Sequence, residues 1–489
     1  MSSVRLRCLR LSANPENTVP INVGGRTTFP SEALDENQSE TTVFGALSYL
    51  HATDRFTAQA TLFARYATLA FTPDVVGDIL YNGIAQFAHK SDSAGGVQVD
   101  GVYQVDPHHT LRGGLVVEID RAASATTSHV LLLAAATGVL IGGDNAAPFT
   151  IIDNGARTAE TYSVYVQDEW KILDDLTLNY GLRFDLFNGF RRENQISPRI
   201  NSVWRPTSAT TIHAGYARYF SPPPFELIAN ESVQKFVQPI AGLPGLTSTA
   251  APSVTADTTP FAERANYFDV GAAQKLGRLT VTVDSYLKLS RRLVDEGQFG
   301  APIILTPFNY ALGRQYGVEL TGSYAKGPLS AYANFAYQVG QGRDWISSQF
   351  NFTQPALDYV ARHYVYLDHD ERYAVSAGAA YLLRGVTFSG DLIYGSGLRT
   401  DLPLSVPITT PSGPLDHIPN GQELPGYVQV NLSVSHRFER APVGPLELRF
   451  DVINAFDAVY QIRNGAGIGV FAPQFGPRRG FFLGITKDF

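Results

Sequence analysis

Oily and polar side chains take turns along much of this chain. Leu178, Tyr180, Leu182, Phe184 and Leu186 alternate with Thr177, Asn179, Gly181, Arg183 and Asp185. The same beat runs through 428–434 and 446–452, and similar stripes recur at 279–287 and 318–324. Successive side chains of a strand point to opposite faces, so each segment carries one apolar wall and one polar wall. A soluble sandwich would alternate too, but its strands run about 5 or 6 residues, whereas a tilted membrane-crossing strand needs roughly 10. The segments here run roughly 10 to 15 residues. They predict strands at about 40–52, 55–69, 93–105, 109–122, 157–171, 175–188, 195–206, 209–220, 262–276, 278–291, 312–325, 328–340, 364–384, 385–397, 425–439, 443–459 and 474–489, with one more near 80–90. The fold class is therefore all-β, a large antiparallel transmembrane barrel with about 17 or 18 strands visible of about 22 expected.

Connections alternate in length. Short ones fall near 173–175, 206–208, 275–277, 325–327 and 440–442, and long ones at about 222–260, 293–311, 341–368, 398–424 and 461–473. Short turns on one side and long loops on the other are the asymmetry of an outer-membrane barrel. Aromatics near strand ends (Tyr162, Trp170, Phe187, Phe190, Tyr219 and Phe220) fit interfacial girdles.

Composition supports the pattern. Of 489 residues 11% are aromatic, 44 are Gly and only 17% are charged, a mix of strand and turn formers. A mean hydropathy of −0.06 is too polar for a helical membrane bundle and suits a sheet with one oily and one wet wall. The net charge of −7 argues against a general nucleic-acid surface. Cys8 is the one cysteine, which rules out an intrachain disulfide and a cysteine-built zinc site. No run reaches the roughly 18 apolar residues of a spanning helix; the nearest, 130–141, reads as a hydrophobic loop or strand segment. Residues 1–38 carry no signal-peptide core and read as an irregular segment or the remnant of a strand, with the barrel at 39–489.

Several motifs have a collective likeness. YSVYVQDEW at 162–170, LTLNYGLRFD at 176–185, ISPRINSVW at 196–204, YGVEL at 316–320, LDHDER at 367–372, DVINAFDAVY at 451–460 and FGPRRGFFLG at 475–484 stand in one order. Together they resemble the C-terminal barrel portion of a TonB-dependent receptor over roughly 160–489. The final strand, with Phe481, Leu483, Ile485 and Phe489 on one side, resembles the signature read by the barrel assembly machinery; Lys487 departs from it. The family's plug and TonB box are not seen, so the expectation is an N-terminally truncated or partial chain. If strands are missing there, either an open seam near 40–52 or a narrowed barrel should follow.

Candidate chemistry is sparse. Asp368, His369, Asp370 and Glu371, with His363 nearby, are a ligand-like cluster that reads as a solvated structural segment. Asp106-Pro107-His108-His109 reads as a tight turn. Arg183, Asp185, Glu319, Arg449 and Asp451 fall on the polar wall and read as a hydrated or mutually paired lumen, or a contact with a plug or ligand path. Arg218, Tyr219 and Phe220, entering a long loop, are the candidate ligand contacts. Asn230-Glu231-Ser232 fits a glycosylation sequon that the bacterial context leaves idle. There is no Walker lysine loop, no G-x-S-x-G, no H-E-x-x-H and no Cys/His pair, so no enzyme is expected, and no cofactor or resident metal. The resemblance implies an outer-membrane receptor in a Gram-negative-type bacterium, taking up a scarce metal chelate, cobalamin or glycan. Its partners would be outer-membrane lipid, the assembly machinery and, given an upstream plug, the TonB complex. The alternative is a passive porin-like or structural barrel.

Overall fold

The computed structural model describes residues 22–23, 26–27, 29, 33–81, 83–131, 147–189, 191–224, 260–299, 304–349, 352–439, 444–470 and 473–487. A small hairpin, β1 (Asn22–Val23) and β2 (Arg26–Thr27), precedes the main sheet. The wall begins with β3 (Asn37–Ala52) and β4 (Phe56–Thr72), then helix α1 (Val75–Tyr81). It continues through β5 (Ile84–Gln104), β6 (His109–Val130), β7 (Phe149–Leu173), β8 (Leu176–Asn188), β9 (Arg192–Thr207) and β10 (Thr210–Ser221). Next come β11 (Glu263–Leu276), β12 (Leu279–Phe299), β13 (Ile304–Lys326), β14 (Leu329–Trp345), helix α2 (Gln354–Val360), β15 (Val365–Tyr366), β16 (Tyr373–Leu383) and β17 (Val386–Gly395). The rest is β18 (Arg399–Thr410), β19 (Gly413–Glu423), β20 (Tyr427–Phe438), β21 (Leu446–Ile453), β22 (Gln461–Asn464), β23 (Pro473–Phe475) and β24 (Gly480–Lys487).

Eighteen of these strands form one ring, in which each strand pairs with its neighbour and β24 returns beside β3. Closure follows from the solvent: in hydrocarbon every unpaired backbone N–H and C=O costs several kcal/mol, so a spanning sheet must pair them all. β15 and β16 both run antiparallel to β14 and are one stave interrupted at 367–372, which leaves seventeen staves among the described residues. Every register from β3 round to β24 is antiparallel, so an odd count makes β3 and β24, which meet at the closing junction, run in the same direction. That junction is the barest part of the wall. All sixteen residues of β3 are exposed, and its neighbours Val43 (60%) and Phe44 (64%) point to opposite walls, so neither wall covers this strand.

The short turns sit at one end. Leu383 and Val386 are paired across Arg384 and Gly385, which have φ of 50° and 84°. Two consecutive left-handed residues make the mirror-image turn whose twist matches a hairpin, and glycine at the second lowers its strain.

The alternation sorts as expected. Val164, Val166 and Val270 are more than half exposed, while Ser163, Asp185, Gln195 and Ser197 on the alternate positions are buried. A curved sheet covers its concave wall more than its convex one, so the polar set lines the interior and the oily set faces outward. The dry packing is elsewhere. Leu293, Phe308, Tyr310, Trp345, Phe352, Ala356, Val360, Val365, Leu415 and Ile468 form one buried cluster at the loop end.

Most predicted strands stand within a few residues, and the differences have local causes. The segments near 80–90 and 93–105 are one strand, β5. The 364–384 strand is broken where LDHDER bulges out of the ladder. The strand at 443–459 stops at Ile453, because Asn454 takes a left-handed φ of 49° and its side chain bonds the Ala458 and Pro477 carbonyls. Of 474–489, only β24 joins the wall, and β23 pairs with β22 instead. The expected loop at 293–311 is ladder up to Phe299 and from Ile304, and that at 398–424 is the hairpin β18–β19. Phe187, expected in a girdle, shares Asp185's wall and is buried against Ala159. Phe190, Phe489, Cys8, the sequon at 230–232 and most of 130–141 and 222–260 lie outside the described residues.

The wall assignment makes a prediction. Val166→Arg should destabilise the folded protein in lipid by up to about 2–4 kcal/mol, depending on depth, whereas Gln167→Arg on the other wall should cost far less. Urea unfolding in bilayers measures both, and equal costs would contradict the sorting.

Candidate functional site

At the loop end the strands outrun any membrane. β7 has 25 residues and β13 has 23, against the roughly 10 a tilted crossing needs. The apolar extensions of β12, β13 and β14 are covered by α2 and the β18–β19 hairpin. Helix α2 starts cleanly: the Thr353 side chain accepts from the Ala356 N–H, and Pro355 stands in its first turn. Trp345 and Phe352 stack with ring centroids 3.9 Å apart inside this cluster. Asn420 ties three segments together. Its amide donates to the Tyr366 carbonyl at 2.9 Å, its side-chain oxygen accepts from the Ile468 N–H at 2.9 Å, and its own N–H donates to Asp401 at 2.9 Å.

The bulge at 367–372 anchors this cap by ion pairs. Asp370 is fully buried, accepts from the Gly340 N–H at 2.6 Å, and receives both Nε (2.8 Å) and Nη2 (2.6 Å) of Arg399. Arg399 also reaches Glu423 at 2.8 Å, and its guanidinium lies 3.8 Å from the Tyr366 ring centroid. Beside it Asp368 accepts from Arg463 at 2.5 Å. His369 places Nδ1 2.6 Å from Asp368 and Nε2 2.7 Å from Arg463, the arrangement of a neutral ring. The two aspartates of LDHDER are thus committed to arginines, Glu371 accepts from the Gly397 N–H at 3.4 Å, and no metal-holding group of three such side chains occurs among the described residues.

A second feature opens between the start of β9 and the loop-end parts of β11 and β12. It is a cavity of about 720 Å³ lined by Arg191, Arg192, Glu193, Asn194, Phe261, Arg264 and Arg292. Glu193 is buried and braces it: one oxygen accepts from the Ala262 N–H at 2.7 Å, the other from Arg264 at 3.1 Å and Arg292 at 2.8 Å. Phe261 has two guanidiniums against its ring, Arg191 at 4.0 Å and Arg292 at 4.6 Å. Buried Asn309 fixes the framework, donating to the Phe261 carbonyl at 3.0 Å and the Arg292 carbonyl at 2.9 Å while accepting from the Phe261 N–H at 2.8 Å. None of the lining residues was singled out by sequence. The doublet Arg191-Arg192 entering a strand at the loop end was the one local signal.

The residues that were singled out scatter. Arg183 bonds Asp185 at 2.7 Å and Arg449 bonds Asp451 at 2.8 Å, two copies of one Arg-x-Asp unit in different parts of the ring. Glu319 stands opposite Asp284. Next to Asp284 is Gly271, whose missing side chain leaves room for His213 to approach Asp284 at 3.2 Å. Tyr219 rests edge-on against Tyr267 at 5.9 Å. Phe220 packs on the Ala159–Phe187 pair, and Arg218 lies across from Asn266. Adjacent residues of a strand point apart, so the three do not form one grip, though they rise beside the arginine cavity. Phe481, Leu483 and Ile485 share the exposed outer wall of β24.

A closed up-and-down ring, oily outside and polar inside, with tight turns at one end and folded loops at the other, is a transmembrane β-barrel of the outer-membrane type. The chain belongs to the family described as "TonB dependent receptor-like, beta-barrel", whose profile matches residues 10–455 and so begins well upstream of the motif-bearing segments. Its fold is that of solved receptors and transporters. The copper transporter OprC aligns with a TM-score of 0.63 at 13% identity, covering 93% of this chain and 66% of that one. The ferric yersiniabactin uptake receptor FyuA from Yersinia pestis gives 0.63 at 13%, covering 95% and 64%. The ferric citrate transporter FecA gives 0.60 at 15%, covering 92% and 61%. The chain thus spans less than two thirds of these proteins' length. No curated protein matches it by sequence.

Two outcomes follow. Arg399→Ala strands the buried Asp370 carboxylate and should cost about 3–5 kcal/mol, while Arg399→Lys, lacking the two-pronged contact, should recover only part. Denaturant unfolding, with proteolysis at 399–423 as the local readout, checks it. In α1, burial and then the neighbouring Glu36 push the Asp78 carboxyl up to about 8 from an ordinary 3.8. The folded protein therefore holds a proton that the unfolded chain has lost across that window, so local stability should fall as pH rises from about 4 to 8. Hydrogen exchange of residues 73–83 against pH should show this slope, and Asp78→Asn should flatten it.

Proposed function

We propose that this chain is the barrel of an outer-membrane receptor for TonB-energised uptake of a scarce nutrient in a Gram-negative-type bacterium. The observation that carries the reading is the loop end: long loops are packed into a cap over their own hydrophobic cluster and pinned by buried ion pairs, where an open pore needs only a mouth. Family membership supports the same reading. The proteins of like fold are named for ferric yersiniabactin, ferric citrate and copper, so a metal or its chelate leads among ligand classes. In this reading the outer wall meets outer-membrane lipid, and Phe481, Leu483, Ile485 and Phe489 carry the sequence signature recognised by the barrel assembly machinery. Arg183, Asp185, Glu319, Arg449 and Asp451 line the ligand path, and Arg218, Tyr219 and Phe220 flank its entrance. A plug moved by the TonB complex would admit the ligand.

Uptake of radiolabelled ferric chelates by cells bearing the intact gene tests this. Accumulation should drop to the level of cells without the gene when TonB is deleted or the proton-motive force is collapsed. Accumulation that persists in both cases identifies a passive pore and overturns the proposal.

A further inference from the structure

The outward wall of β12 reads Leu279, Val281, Val283, Ser285, Leu287 and Leu289, and the next outward residue is Arg291. Ser290 beside it is buried against Glu263, so Arg291 points the other way. From Leu279 to Leu289 the strand rises about 34 Å, which a tilt of about 45° turns into about 24 Å, the height of an outer-membrane barrel's apolar band. Arg291 therefore stands where hydrocarbon gives way to headgroups. The next two staves repeat the feature. Leu312 of β13 lies opposite Arg291 on one side and Arg343 of β14 on the other, and Arg314 stands on the same face, level with Leu289. Beyond this row the apolar residues change sides. Gly313 and Gly342 belong to the inner wall, and the space over them is filled by Leu293 and Tyr310, which strict alternation would send outward. The crossing falls at Arg292 and Asp344, which have left-handed φ of 57° and 66°.

The row is not neutralised. Arg264, opposite Arg291, is held by Glu193, as is Arg292. Arg291, Arg314 and Arg343 form no ion pair among the described residues. Arg314 gives its Nε–H to Gln341 at 2.8 Å, and the Arg343 Nε–H is buried and unpartnered. The Tyr364 ring centroid lies 4.2 Å from the Arg314 guanidinium and 5.3 Å from that of Arg343. A guanidinium held over a ring keeps its edge donors free in a fixed plane. Three like charges in a row repel one another, and a phosphate layer at this height removes that cost.

We propose that this outward arginine row docks a lipid whose headgroup carries phosphate monoesters, in the leaflet at the loop end, with its acyl chains along Leu287, Leu289 and Tyr316. Arg314 stands diagonally from Arg291 and from Arg343, about 7–8 Å from each, so the three side chains can converge on one headgroup. A monoester brings about two negative charges to them, where a diester brings one. The surface lies outside the wall, apart from the cavity braced by Glu193. The proposal rests on the outer-membrane reading for which leaflet the loop end meets.

The chain, folded in neutral detergent and checked by its heat-modifiable gel band, is mixed with a diphosphorylated glycolipid, and retained lipid is counted by native mass spectrometry. The same glycolipid stripped of phosphate, phosphatidylglycerol and soluble pyrophosphate are the comparisons. Retention should follow phosphate charge, with the diphosphorylated lipid ahead of phosphatidylglycerol and the stripped lipid last. Arg291→Glu should weaken it about tenfold, as should Arg314→Gln/Arg343→Gln, while Arg278→Glu at the short-turn end should not. Arg291 is exposed, so its variant decides should the double variant fail to fold. Equal retention of the stripped lipid, retention unchanged in Arg291→Glu, an equal loss in Arg278→Glu, or displacement of the lipid by an equal concentration of pyrophosphate overturns the proposal. Uptake that persists without TonB would instead sink energised transport and leave the lipid face standing.

Discussion

The backbone's need for partners in hydrocarbon governs this structure. Each stave can cross lipid only if both its edges are paired, so the chain is obliged to wind into a ring and the side chains need only agree about which wall they occupy. That division of labour explains why the membrane-facing wall has no conventional core. Valines and leucines stand exposed there without penalty in lipid. The dry cluster that a soluble protein would place at its centre is found among the loops, where water is the solvent and burial again contributes stability.

The loop end is where the chain does its individual work. Asp370 and Arg399 lock a hairpin to the wall through a pair so well buried that neither could lose the other cheaply. Glu193 does the reverse, holding two arginines without neutralising them. The first arrangement cancels charge to fix shape; the second fixes shape and leaves charge over. Asn309 and Asn420 belong to the same logic, each using one amide to join segments distant in sequence, which lets long loops behave as rigid walls.

How much of this could be read from the sequence follows from what is local. A stripe such as 176–186 declares its strand, its walls and its environment with no help from elsewhere, and the ring follows from repeating it. What lay beyond reach depended on distant pairings. The continuation of β12 and β13 through 293–311 looked like loop because its apolar residues find their cover on α2 and the β18–β19 hairpin. Asn454 ends β21 through carbonyls supplied at 458 and 477. LDHDER read as a solvated structural segment, yet Asp368 and Asp370 are buried, because their arginine partners at 463 and 399 stand far off in sequence. The arginine cavity draws on 191–192, 261–264 and 292, three stretches that nothing in the sequence connects. Arg218, Tyr219 and Phe220 were chosen as neighbours in sequence, and a strand sends neighbours to opposite sides.

The odd stave count gives the join between β24 and β3 a property no other junction has. Two strands running the same way offer slanted, evenly spaced bonds, and they can slide past one another without meeting a turn that fixes them. Sliding is nonetheless quantised. A shift of one residue would swing Phe481, Leu483 and Ile485 toward water and bring Phe482 and Thr486 to the oil, so permitted offsets come only in steps of two, near 7 Å each. Among the described staves this is the one junction whose two strands are not successive staves of the chain, and there the solvent alone acts as the ruler.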